Sequence, residues 1–183
     1  MRSHTSFPGL VLAALLLLVL GGCSVALDDY RGTSPELRLE RYFLGHTLAH
    51  GIVQDRSGRV IKRMQVTLDG AWEGDEFVLR EDFRYDDGTS EQRVWRLTVQ
   101  PDGSYIGRAA DVVGEARGGA VGHAVEWRYT LRVPTEGRTY DLAFDDRMWL
   151  LADGTLINRA EFSKFGIRFG EVTIFFSKPK PAG

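Results

Sequence analysis

The sequence predicts an all-β protein, an antiparallel up-and-down β-barrel of about eight to ten strands preceded by one short helix. Three observations carry that expectation. Turn signals recur about every 10 to 15 residues, the rhythm of a strand meander. They are "DRSG" (55–58), "DGAWEG" (69–74), "YDDGT" (85–89), "PDG" (101–103), "GEARGG" (114–119), "PTEGR" (134–138) and "ADG" (152–154). Between them apolar and polar residues alternate, most cleanly where Val125, Trp127, Tyr129, Leu131 and Val133 are set against Glu126, Arg128, Thr130 and Arg132. A period of two turns one face of a strand to a core and the other to water. Composition agrees, with 21 Gly and 11% aromatic residues against only 6 Pro. Closure would also remove the exposed strand edges that invite aggregation.

The N-terminus reads as an address. Arg2 is the only Lys or Arg before the apolar run "LVLAALLLLVL" (10–20), which has the length of a signal-peptide core and is short for a permanent span. Leu20-Gly21-Gly22-Cys23 resembles the bacterial lipobox, whose Cys is diacylated and becomes the new N-terminus. An ordinary signal peptide with an incidental Cys is the alternative; Cys23, the sole cysteine, stands where the lipobox needs it. Ser24, rather than Asp, then favours the outer membrane facing the periplasm, with firm anchoring by several acyl chains. The expected organisation is a signal peptide over 1–22, a lipidated Cys and tether over 23–33, one barrel domain over 34–178 and a tail over 179–183.

Thr33-Ser34-Pro35-Glu36 has the form of a capping box with Pro just inside, and Leu39, Tyr42 and Phe43 follow at helical spacing. The short helix is placed there, ending at Gly45. Past residue 22 the chain carries 22 Lys and Arg against 25 Asp and Glu, a mildly acidic mixture without a polybasic patch. That balance excludes a nucleic-acid footprint.

The stretch "FVLREDFRYDDGTSEQRVWRL" (77–97) sets a register. A three-residue loop with Gly88 in the left-handed position pairs Phe83 with Glu91, Glu81 with Arg93, Leu79 with Trp95 and Phe77 with Leu97. A two-residue loop would slip every side chain to the other face. The Pro101-Asp102-Gly103 turn treated alike pairs Val99 with Tyr105 and Leu97 with Gly107, and carries Arg93 to Asp111. Glu81, Arg93 and Asp111 are therefore expected side by side on the inner face. Further along, Asp146 would oppose Ala160 and lie diagonal to Asn158, with Lys164 on the same strand and His123 near a barrel mouth.

A buried carboxylate is tolerable when paired, so the first reading of this row is structural. Ligand recognition is the second, because cavities combine apolar walls with a few orienting polar groups. Catalysis is third: an Arg between two carboxylates favours clamping over proton transfer. There is no nucleophile elbow, phosphate loop or dinucleotide fingerprint, and His46 and His50 do not converge on a metal. No catalytic residue, metal or cofactor is assigned.

Several stretches resemble one family. "RYFLG" (41–45), "DRSGRV" (55–60), "YIGRAADVVGEARG" (105–118) and the "FDD" (144–146) to "KFG" (164–166) region are similar to bacterial lipoproteins of the domain of unknown function 3833 family. The resemblance implies a lipocalin-like barrel and, through the family's neighbourhood with fatty-acid-modifying enzymes, a lipid ligand. Arg147 replaces an aromatic and His123 an Asn of that pattern, which turns the weight onto Asp146, Asn158 and Lys164.

The resulting expectation is a lipid-anchored envelope protein whose barrel binds a small hydrophobic ligand such as a fatty acid. Arg93 would hold its carboxylate, steadied by Glu81 and Asp111, with Lys164 as second candidate and Trp95, Tyr105, Trp127 and Tyr129 among the walls. A filled barrel working as an interaction module of the envelope is the alternative, and a lipid isomerase or hydrolase the third reading.

Overall fold

The computed structural model describes residues 25–135 and 137–179. Ten antiparallel strands follow one another around a closed barrel. They are β1 (Gly45–Asp55), β2 (Val60–Glu73), β3 (Glu76–Tyr85), β4 (Ser90–Val99), β5 (Ser104–Arg108), β6 (Ala116–Val121), β7 (Ala124–Thr135), β8 (Arg138–Leu150), β9 (Leu156–Lys164) and β10 (Ile167–Ser177). Each pairs with its neighbour in sequence, and β1 pairs with β10 to close the ring.

The predicted registers are those observed. Glu81 pairs with Arg93, Leu79 with Trp95, Val99 with Tyr105 and Asp146 with Ala160. The β4–β5 ladder stops at Arg108, however, so Asp111 is not a strand residue. It lies in the loop where β5 and β6 fall short of the barrel's height. That loop completes the wall by bonding β7: Val113 N–H donates to Thr130 O and Arg132 N–H to Asp111 O.

Two glycine-containing stretches expected as turns are strand. "DGAWEG" belongs mostly to β2, which runs to Glu73, and "GEARGG" leads into β6. Gly70 is there for space rather than for a turn: a Cβ would collide with the carbonyl of Phe43. Gly118 is pressed against Trp127 in the same way, its Cβ position 2.7 Å from the indole ring.

The helix is shorter and later than expected. One turn of α-helix, α1 (Leu39–Tyr42), follows an irregular segment, and Thr33 caps nothing. Its Oγ1 donates instead to Tyr30 O and accepts from His123 N–H. Nor is the stretch from Val25 a loose tether. Leu27–Tyr30 form a 3-10 turn against the outer wall, where Trp149 Nε1 donates to the Tyr30 hydroxyl and Arg147 to Val25 O.

Leu37, Leu39 and Phe43 bring α1 across one end of the barrel, onto Phe77, Tyr105, Leu156 and Phe176. Burying each such side chain contributes roughly 1.5–3 kcal/mol, enough to hold a helix too short to form alone. The Tyr105 hydroxyl donates to Glu40 (2.8 Å) and accepts from Leu39 N–H (3.3 Å), so the lid is also hydrogen-bonded to the wall.

Candidate functional site

The barrel is a cup. Above the floor made by Leu39 and Phe43 lies a cavity of about 580 Å³, opening between the hairpin turns at the far end. Its walls are mainly Phe, Trp, Tyr, Leu, Met and Val from strands all round the ring. The interior is therefore not filled by its aromatics.

One side of this apolar wall carries the polar groups. Arg93 on β4 donates from Nε to Asp111 Oδ2 at 2.9 Å, and its Nη1 stands 3.7 Å from Glu81 Oε2. Its guanidinium lies 5.4 Å from the centre of the Phe83 ring. Next to this group, on β8, Asp146 accepts a 3.4 Å hydrogen bond on Oδ2 from the Tyr129 hydroxyl. Asp146 is only 6% exposed, and its Oδ1 has no hydrogen-bond partner. Tyr129 is fixed in turn, stacked 5.1 Å from Phe144 and edge-on to Trp95 at 5.4 Å.

Burial governs the protonation of these groups. It pushes Glu81 up to about 7 against the pull of Arg93, with Asp111 adding to the rise. Asp146 is likewise pushed up to about 7 by burial, against the Tyr129 hydrogen bond and Arg93. Burial works against the charge of Arg93, but Glu81, Tyr129 and Asp111 together hold its guanidinium above its ordinary value. Tyr129 is raised by burial first and by Asp146 second. The wall thus holds three acidic groups to one fixed cation, so its free capacity is to accept hydrogen bonds or positive charge.

Of the residues singled out from sequence, Arg93, Glu81, Asp146, Asn158, Trp95, Trp127 and Tyr129 line the cup. Asn158 sits diagonal to Asp146 as expected, but its Nδ2 donates to the Arg147 carbonyl at 3.4 Å. Four placements differ. Tyr105 is sealed beneath the floor, bonding α1. Asp111 lies behind Arg93, in the loop described above, rather than on the cavity surface. Lys164 stands at the end of β9 with Nζ 4.6 Å from the Tyr140 ring, in a shallow outer groove beside Asp141. His123 packs edge-on against Tyr30, away from the cup. Cys23 lies outside the described residues.

Sequence reading missed the opposite wall, where Val53, Met64, Val172 and Ile174 face the polar group from β1, β2 and β10. The alternation Met64, Val66, Leu68 was available as a signal. It also missed Lys62, which lines the mouth with Nζ 4.3 Å from the Tyr85 ring and 3.7 Å from Asp87.

A family model described as "Protein of unknown function (DUF3833)" matches residues 17–178. The chain belongs to that family. No curated protein matches it. Among solved structures, this DUF3833 member is similar to an S-type phycobiliprotein lyase, CPES, from Guillardia theta. The TM-score is 0.53 at 6% identity, over 77% of this chain and 92% of that one. The likeness is one of fold, a lipocalin-like closed barrel.

Proposed function

We propose that this protein binds a small, largely apolar molecule inside its barrel. The observation that carries the reading is the cup: about 580 Å³ of open interior with one sealed end and one open end. That volume falls in the range of roughly 300–1,000 Å³ typical of small-molecule sites, and a few polar groups in an apolar wall are their usual furnishing. A lipid suits such walls. For a fatty acid, the walls fit the chain, while Arg93 is a poor holder of its carboxylate because Glu81 and Asp111 already flank the guanidinium.

The setting we propose is the bacterial outer membrane, facing the periplasm, with the chain held by acyl groups on Cys23. The support is the lipobox-like sequence ahead of Cys23. Cys23→Ala should release the protein into the soluble periplasmic fraction; unchanged membrane association would remove the anchor.

Native mass spectrometry of protein purified without detergent tests the binding. A discrete lipid-sized adduct should appear, released on denaturation, and should be lost in Val133→Trp, which narrows the mouth. A clean apo mass that no envelope lipid extract can shift would overturn the reading.

A further inference from the structure

Resting on the reading that the cup holds a ligand, we infer that Asp146 receives the ligand's polar end, and that this end is a hydrogen-bond donor without negative charge, an alcohol or an amine. Arg93 is spanned by two carboxylates, Asp111 at 2.9 Å and Glu81 at 3.7 Å. An incoming carboxylate would have to displace one of them and leave it unpaired in an apolar wall, which is costly.

Asp146 presents the opposite case. It lines the cavity, is more than nine-tenths buried, and has an oxygen without a partner; Asp111 Oδ1 is also unpartnered, but Asp111 lies off the cavity surface and out of a ligand's reach. No Lys, Arg or His is placed within salt-bridge distance of it among the described residues. The groups around it are the Tyr129 hydroxyl on β7, Asn158 on β9, and Glu81 and Arg93 on the same side of the cup, with Asp145 next in the chain. Tyr129 supplies a single donor, at 3.4 Å, to one oxygen. A buried acceptor left in this state is a place where an added donor gains most, because nothing has to be broken to make the bond. The excess of acidic groups adds an electrostatic preference for a cation or neutral head over an anion. Burial also raises Asp146 to about 7, the displacement expected of a carboxyl awaiting a compensating donor.

Depth is consistent with that role. Asp146 pairs with Trp127 and Ala160 well below the rim, so the ligand's polar end would enter first and its apolar remainder would lie between Phe83, Phe144 and Phe162 toward the mouth. The competing arrangement is a carboxylate left at the rim on Lys62, whose present partner Asp87 is 3.7 Å away.

The test compares three probes of one chain length, decanol, decylamine and decanoate, at pH 8. Binding is read from Trp fluorescence, since Trp95 and Trp127 line the cup. Decanol and decylamine should bind at least tenfold more tightly than decanoate. Asp146→Asn should erase most of the decylamine advantage while leaving Tyr129 hydrogen-bonded. The wild-type ranking decides the proposal even if that variant does not fold. Decanoate binding as well as the others would overturn it, and loss of decanoate binding in Lys62→Ala would assign the rim instead. Failure of all three probes, together with a clean apo mass, would sink the binding reading itself rather than its head-group choice.

Discussion

The two ends of the barrel are built from the same kinds of residue and end differently. At the floor, Phe43, Phe77, Tyr105 and Phe176 are all 7% exposed or less. At the mouth, Phe165 is 93% exposed and Ile167 61%. The floor is sealed because α1 lies across it and Gly70 lets the Phe43 backbone approach β2. Among the described residues, the connections on the mouth side are short hairpin turns and the β5–β6 loop, which bonds β7 along the wall. Apolar content therefore does not decide where a barrel fills; a covering segment and the glycines that admit it do.

The largest effects should fall on what is sealed or paired. Phe43→Ala removes the centre of the floor and should cost about 3–5 kcal/mol in denaturant unfolding. Phe162→Ala, half-buried near the mouth, should cost less than about half of that. Equal losses would mean that the mouth is packed as tightly as the floor. Arg93→Ala strands Glu81 and Asp111, and should cost about 3–5 kcal/mol at neutral pH. The loss should shrink at pH 5, where Glu81 can take a proton.

The pH dependence of the wild type separates the polar wall from the surface. Glu81 and Asp146 bind protons more tightly folded than unfolded, so between the ordinary carboxylate range and about 7 the folded state holds the extra protons. Their contribution is full at the acidic side and is lost as pH rises through about 7. Surface carboxylates such as Asp55 and Asp86 are lowered by hydrogen bonds, to Ser57 and to the Arg63 backbone respectively, and act in the opposite sense, losing their contribution in stronger acid. Thermal unfolding should therefore show greater stability near pH 5 than at pH 8, and a flatter profile in Asp146→Asn. A wild-type curve that rises from pH 5 to pH 8 would show the wall to be ionised without strain.

The smallest effect belongs to the rim. Phe165 sits at the β9–β10 turn with φ +51°, a left-handed conformation disfavoured for a bulky side chain. Phe165→Asn should be neutral or stabilising by up to about 1 kcal/mol, since Asn before Gly166 suits such a turn. A clear destabilisation would show that the exposed ring packs on something.

Much of the polar wall was legible because hairpin turns transmit register. Asp86, Asp87 and Gly88 select a three-residue loop, and that alone sets Glu81 against Arg93. The same reasoning reached Asp111 by a route the chain does not take, since β5 ends first and a loop delivers the carboxylate. Lys164 was misplaced because alternation says which face a residue leaves from, not whether its strand still borders the cavity there. The helix start was misjudged because Thr33 is used by the tertiary contact with His123. The cavity itself had no sequence signal. Its volume depends on the diameter of a ten-stranded ring and on α1 stopping at one end.

The pairing of β1 with β10 has a consequence for how the molecule is made. Leu48 meets Ser177 and Asp55 meets Gly170, so the first strand of the barrel waits for the last. Until the C-terminal residues have emerged, β1 and β9 each present a bare hydrogen-bonding edge, and no sealed container exists. Synthesis thus proceeds through an open, adhesive sheet, and removal of β10, from Ile167 onward, would leave every growing chain in that condition.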